Sequence, residues 1–284
     1  MEKQKLTELA VFAEKVRLAA LEGIYNAASG HPGGSLSIAE VVTYLYNCEM
    51  RIRPDQPDWE DRDRFVLSKG HCAPAVYAAL GLKGYFDVKE VANLRKLGHF
   101  LQGHPDMKGV PGVDMSTGSL GQGISAACGM ALAAKLDGRD YRVYTIVGDG
   151  ESQEGQVYEA LMFAAHYNLD NLVVMIDYNG LQIDGDITKV MSPLPFADKF
   201  RAFNFNVFEA DGHDFESIAA ALDAARAAKG KPSGIILRSV KGKGVSFMEN
   251  NPAWHGSAPK QEQYEIAKAE LEARLEAAQK GELR

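Results

Sequence analysis

Apolar residues recur every three or four positions at the start of the chain, where Leu6, Leu9, Ala10, Ala13, Val16, Ala20 and Ile24 form one stripe. That period predicts an amphipathic helix over 5–28. The helix should end before ASGHPGGSLS (28–37), whose glycines and proline argue against helix and place His31 at an element boundary. A second helix is expected at 37–48, and the turn-rich PDQPDWEDRD leads into FVLS, a short strand that delivers SKGH and His71. STGSLGQG then opens a small-residue helix over 121–136. YRVYTIV (141–147) and NLVVMID (171–177) are nearly continuous apolar or aromatic runs, separated by EGQVYEALMFAAHYN with Val157, Leu161 and Ala164 on one helical face. Such runs mark strands buried on both sides. FNVFEAD (205–211) and GIILRSV (234–240) repeat the arrangement around a helix at 215–229. Tyr264, Ala267, Leu271 and Leu275 stripe a terminal helix that closes at Arg284.

The predicted fold is α/β, a mostly parallel sheet with helices on both faces, in a single domain over 1–284 with terminal helices. A βαβ unit crosses over right-handed and keeps its strands parallel, so the runs at 141–147 and 171–177 finish at one sheet edge.

Composition narrows the function classes. The 284 residues are 46% hydrophobic and 24% charged, ordinary for a folded chain. A net charge of −7 argues against nucleic-acid binding, which calls for a basic face. The cysteines Cys48, Cys72 and Cys128 lie far apart, which excludes a closely spaced zinc or redox pair and favours a reducing cytoplasm. Charges interrupt the apolar N-terminal positions and no apolar run reaches membrane-spanning length, so a soluble, cytoplasmic protein is expected.

Ligands of open α/β sheets bind beyond the carboxyl ends of the strands. Gly148-Asp149-Gly150 and Asn179 both fall there. The glycines let the backbone approach a ligand, Asp149 offers a hard carboxylate oxygen, and Asn179 with a carbonyl such as that of Leu181 adds two more. Few protein oxygens completed by phosphate oxygens is how magnesium is held. An isolated GDG is most often only a turn; the matched second oxygen donor at the same edge makes a magnesium diphosphate anchor the better reading.

Six of the seven histidines adjoin a glycine, His31 and His104 within identical GHP tripeptides. Imidazole suits proton transfer near neutral pH. His166, on the crossover helix, is read as structural, and His99 and His213 as plain hydrogen-bonding residues. Cys72 is set aside as a nucleophile because neighbours on a strand point to opposite faces. Glu151 is read as a solvated first-turn acid.

SGHPG (29–33), DRDRFVLSKGH (61–71), GHP (103–105), STGSLGQG (116–123), GDGESQEG (148–155), YNGLQIDG (178–185), DGHD (211–214) and HGSAP (255–259) together resemble the transketolase family in its own order. The resemblance covers nearly the whole chain. It implies the thiamine diphosphate-binding fold, with thiamine diphosphate and Mg2+ (or Ca2+ or Mn2+) as cofactors. Asp149, Asn179 and the main chain of Leu181 match the metal ligands, and Gly150 a glycine touching the diphosphate. His71, Gly118 and Leu120 match positions lining the cofactor. His31, His104 and His255 match histidines facing the thiazolium and the sugar, so that with His71 they form the catalytic set. Glu154 matches an acid in a proton network near the dimer interface. Ser119 departs from a proline usual there.

The family's enzymes continue through two further domains that hold the cofactor's pyrimidine ring and most groups for the substrate's phosphate. The resemblance therefore implies an N-terminal subunit that works with a separate C-terminal transketolase subunit, two copies of each in a heterotetramer. The reaction would move a two-carbon ketol unit from a ketose to an aldose, each a sugar or sugar phosphate. The alternatives are the alpha-type subunit of a thiamine diphosphate-dependent 2-oxoacid decarboxylating enzyme, or a non-catalytic remnant that still binds cofactor.

Overall fold

The apolar runs do become strands. The computed structural model describes residues 1–283, so the predicted end of the tail helix at Arg284 lies outside the described residues. The strands are β1 (Arg64–Leu67), β2 (Val143–Gly148), β3 (Leu172–Tyr178), β4 (Leu181–Gln182), β5 (Gly185–Asp186), β6 (Asn206–Asp211) and β7 (Ser233–Arg238). Five of them form one sheet in the order β1-β2-β3-β7-β6, every pair parallel, while β4 and β5 make a small antiparallel ribbon.

The helices are α1 (Lys3–Asn26), α2 (Pro32–Leu36), α3 (Ala39–Tyr44), α4 (Ala73–Lys83), α5 (Gln122–Leu136), α6 (Gly155–His166), α7 (Ile187–Val190), α8 (Phe196–Ala202), α9 (Phe215–Ala227) and α10 (Gln261–Gln279). Alternation along each strand divides them between two cores. Phe65, Leu67, Tyr144, Ile146, Val173 and Met175 face α1, α3, α4 and α9. Their neighbours Val66, Val143, Val147, Val174 and Ile176 face α5, α6 and α8. Helices on both faces of a parallel sheet are thus the architecture, as expected. α10 returns to pack along α1, with the rings of Tyr25 and Tyr264 stacked at 3.9 Å.

Three local expectations are corrected. The GHPGGSLS segment does form helix: α2 starts with Pro32 at its first position and buries all five residues, so packing outweighs the poor propensity of two glycines. The helix expected at 37–48 is α3 followed by a π-helical turn over Leu45–Glu49. His71 and Cys72 lie in a 3-10 turn after β1 instead of on the strand. Cys72 is still no nucleophile, now because its thiol is fully buried and burial pushes its pKa up.

Candidate functional site

The carboxyl ends of β1, β2, β3 and β7 meet at one rim. Parallel register sets Gly148 opposite Asp177, so the loop bearing Asp149 and the loop bearing Asn179 leave the sheet side by side. Asp149 is 2% exposed. Its two carboxylate oxygens accept from Gly150 N at 2.8 Å and from Gly180 N at 2.6 Å, which ties the two loops together. Burial, followed by the charge of Asp177, raises its pKa to about 6. Asn179 Oδ1 accepts from Leu181 N at 3.1 Å while its amide donates to Asp177 Oδ2 at 2.9 Å. The Leu181 carbonyl accepts from Lys241 Nζ at 2.9 Å.

Three residues of this rim were not singled out in the sequence as site residues, although Lys69 falls within DRDRFVLSKGH. Asp177 is fully buried, and its carboxylate accepts from Lys69 Nζ at 2.6 Å, from Ser37 Oγ at 2.8 Å and from Ser239 Oγ. Burial works against its charge, but the Lys69 ammonium holds the carboxyl below its ordinary range. Lys69 in turn is 2% exposed, and despite burial the paired Asp177 raises its pKa. Lys241 is as buried, yet burial and the nearby Lys69 lower its pKa. The signal for them in the sequence is positional: a charged residue directly at or after the end of an apolar strand run, at Lys69, Asp177 and Lys241 alike.

These groups surround a cavity of about 290 Å³ whose wall includes His71, Leu120, Asp149, Gly150, Glu154, Asn179, Leu181, Lys241 and His255. The remaining predicted residues lie beside it. His31 packs against both His71 and His255, at ring-centroid distances of 5.1 and 5.7 Å, and His104 lies 6.4 Å from His31. Gly118 has φ 150°, and a Cβ there would come within 3.1 Å of the His104 ring, so glycine is what lets this loop lie against the imidazole. The structure therefore brings together all the residues singled out from the sequence for the site. Glu154 is exposed at its rim, at the start of α6.

Glu151 is not solvated. It is 3% exposed and accepts from Ser68 Oγ at 2.6 Å, Gly148 N at 2.8 Å and Gly121 N at 2.9 Å, fastening the GDG loop to the start of α5. The bland readings of His213 and His99 agree with their contacts, Glu40 and the Val240 N–H for the first and Glu90 for the second.

Electrostatically the four site histidines are bases held neutral. Burial first, then the charge of Arg95, lowers His31 to about 4; burial and Lys241 lower His255 to about 3. His71 is lowered by burial and Lys69, and His104 by burial and Arg95. The Nδ1 atoms of His31 and His255 are buried with no protein partner. A buried unpaired imidazole nitrogen beside a cavity is costly unless a ligand meets it. The arrangement offers hard oxygens and a buried ammonium at one end, and neutral proton acceptors at the other.

Comparison with known proteins agrees. Residues 9–278 match the family described as transketolase, thiamine diphosphate binding domain. The chain is 50% identical over 261 residues to the 6-deoxy-6-sulfo-D-fructose transketolase subunit of Clostridium sp. (strain MSTE9), covering 92% of this chain and 94% of that protein. It is 44% identical to an apulose-4-phosphate transketolase subunit of Phocaeicola vulgatus, with 94% and 95% covered. Among solved structures, the transketolase of Campylobacter jejuni superposes with a TM-score of 0.87 at 32% identity. That match covers 96% of this chain and only 46% of the longer one. The shared sheet edge, the histidine cluster and these relatives lead to one assignment: the chain belongs to the transketolase family and corresponds to its thiamine diphosphate-binding domain.

Proposed function

We propose that this chain is the diphosphate-binding subunit of a two-chain transketolase, which transfers a two-carbon ketol unit from a ketose to an aldose, as sugars or sugar phosphates. The observation that carries the reading is the Asp149–Gly180 bond at 2.6 Å, which joins the two oxygen-bearing loops at the edge where the histidines cluster. Whether the site suits a divalent ion can be judged from its donors. No group of three or more acidic, histidine or cysteine side chains among the described residues is arranged to hold a metal ion, so a closed cage of such side chains is absent. What is present is one buried carboxylate with an elevated pKa, one amide oxygen and one main-chain carbonyl. That set fits Mg2+ completed by phosphate oxygens and water. Asp149, Asn179 and the Leu181 carbonyl would hold the metal, Gly150 would border the diphosphate, and Lys241 would offer it a positive charge.

When bound, thiamine diphosphate supplies the electron sink that cleavage beside a ketose carbonyl requires. The chain's own contribution is to place and move protons. His71, Gly118 and Leu120 line the cofactor's place. Neutral His31, His104 and His255 accept and return protons at sugar hydroxyls. Exposed Glu154 would join a proton network with a second protomer. A partner chain carrying the pyrimidine-binding and C-terminal domains completes the enzyme, with two copies of each chain and a cytoplasmic location. No helix among the described residues is long and apolar enough to cross a membrane.

The test is reconstitution. The purified chain alone should show no turnover; with the partner subunit, thiamine diphosphate and Mg2+ it should transfer ketol units. Asp149→Ala, with its circular dichroism unchanged, should lose thiamine diphosphate binding in the assembled enzyme. Turnover by the single chain, or unaltered cofactor affinity in that variant, would overturn the proposal.

A further inference from the structure

The segment that follows β7 carries Lys241 across the cofactor site, and several of its peptide groups are tied by main-chain hydrogen bonds. Ser239 N donates to Tyr178 O at 3.1 Å, Gly242 N to Gly33 O at 2.9 Å, and Lys241 O accepts from Asn250 N at 2.9 Å. Val240 departs from this main-chain pattern: its N–H donates 2.8 Å to a side chain, Nε2 of His213, in the loop between β6 and α9. The other ring nitrogen, Nδ1, lies 3.0 Å from Glu40 Oε2. An Nε2 that accepts an N–H carries no proton, so the neutral ring bears its proton on Nδ1 and donates it to Glu40.

Glu40 is itself fixed. It is 5% exposed, and Arg17 NH2 donates to its carboxylate at 2.6 Å. Arg17 Nε continues to Lys243 O at 3.1 Å. Buried Arg17 and Glu40 with half-buried His213 therefore grip the post-β7 segment on both sides of Lys241, at Val240 and at Lys243. Nothing in the direct lining of the cavity requires this arrangement; it acts from behind.

We propose that His213 is a positioning residue for cofactor binding: its Nε2 acceptor fixes the Val240 peptide and so keeps the Lys241 ammonium aimed at the diphosphate site. This rests on the reading of Lys241 given above. A buried ammonium is useful to an anion only where the main chain holds it within contact distance, because its charge is poorly compensated elsewhere.

Two amide substitutions separate the two ring nitrogens. His213→Gln can extend an acceptor oxygen to the place of Nε2, whereas His213→Asn can keep only the shorter donor toward Glu40. In the enzyme reconstituted with its partner subunit, His213→Asn should raise the half-saturating thiamine diphosphate concentration about tenfold, the effect of roughly 1.4 kcal/mol. Its kcat at saturating cofactor should stay within about twofold of the parent, as expected for lost ground-state binding. His213→Gln should restore most of the affinity. Because His213 acts through Lys241, the double variant His213→Asn/Lys241→Met should bind no more weakly than Lys241→Met alone. Equal behaviour of the Asn and Gln variants, or losses that multiply in the double variant, would overturn the inference. Normal cofactor affinity in Lys241→Met would instead remove the role of Lys241 on which it rests.

Discussion

Three carboxylates are buried within one rim of this molecule, and each is accommodated differently. Asp177 has an ammonium partner at 2.6 Å, Glu151 has three hydrogen-bond donors, and Asp149 has only two backbone N–H groups and a like charge nearby. Asp149 is thus the group best served by a divalent cation. Glu151 serves the loop, and Glu151→Gln would set an amide NH2 against donors, lowering stability by about 1–3 kcal/mol in urea unfolding. The histidines supply a second prediction. His31 and His255 are lowered to about 4 and about 3, against about 6.5 in an unfolded chain. Between pH 6.5 and 4 the unfolded state therefore binds more protons, and stability falls as pH falls. His255→Gln should flatten the decline of Tm between pH 7 and pH 4.5; a decline parallel to the parent's would contradict this.

At the scale of elements, strand runs and the alternation within them were readable because both faces of a parallel sheet must be apolar. Boundaries moved by one or two residues, as with β7, which ends at Arg238 and leaves Ser239 and Val240 in the loop that bears Lys241. The α2 turn was unreadable, since its sequence disfavours helix and only burial of Leu36 and its neighbours between other elements stabilises it. The burial of Glu151 was equally hidden. Its partners Ser68 and Gly121 lie 83 and 30 residues away. The α5 start illustrates how tightly such contacts are packed. A Cβ on Gly123 would approach Ser68 Cα to 2.6 Å, a backbone atom that cannot turn aside. Gly123→Ala should destabilise by about 1–3 kcal/mol in chemical denaturation, with the loss arising from displacement of α5 from β1.

For the molecule as a whole, the terminal helix is part of the structure that supports the site. Arg274 on α10 donates to Glu14 Oε1 at 2.8 Å, Glu14 also takes Arg17 at 2.9 Å, and Arg17 reaches Glu40. This chain of charges links the outermost helix to the segment behind the cofactor site. Arg274→Ala leaves Glu14 buried with one cation fewer and should cost about 1–3 kcal/mol. Hydrogen exchange should quicken across 261–279 before it changes in β2 and β3; uniform acceleration would show instead that α10 does not open separately.

The sequence by itself determined the layered α/β class, the common edge of β2 and β3, and the residue types at the site. It could do so because apolar periodicity and glycine-bounded strand ends are local properties of a chain. The tertiary structure alone decided which charges lie buried together. Lys69 meets Asp177 across 108 residues, and His213 meets Glu40 across 173. Contacts at such separation follow from how the layers close on one another, and desolvation then sets whether each group is neutral or charged.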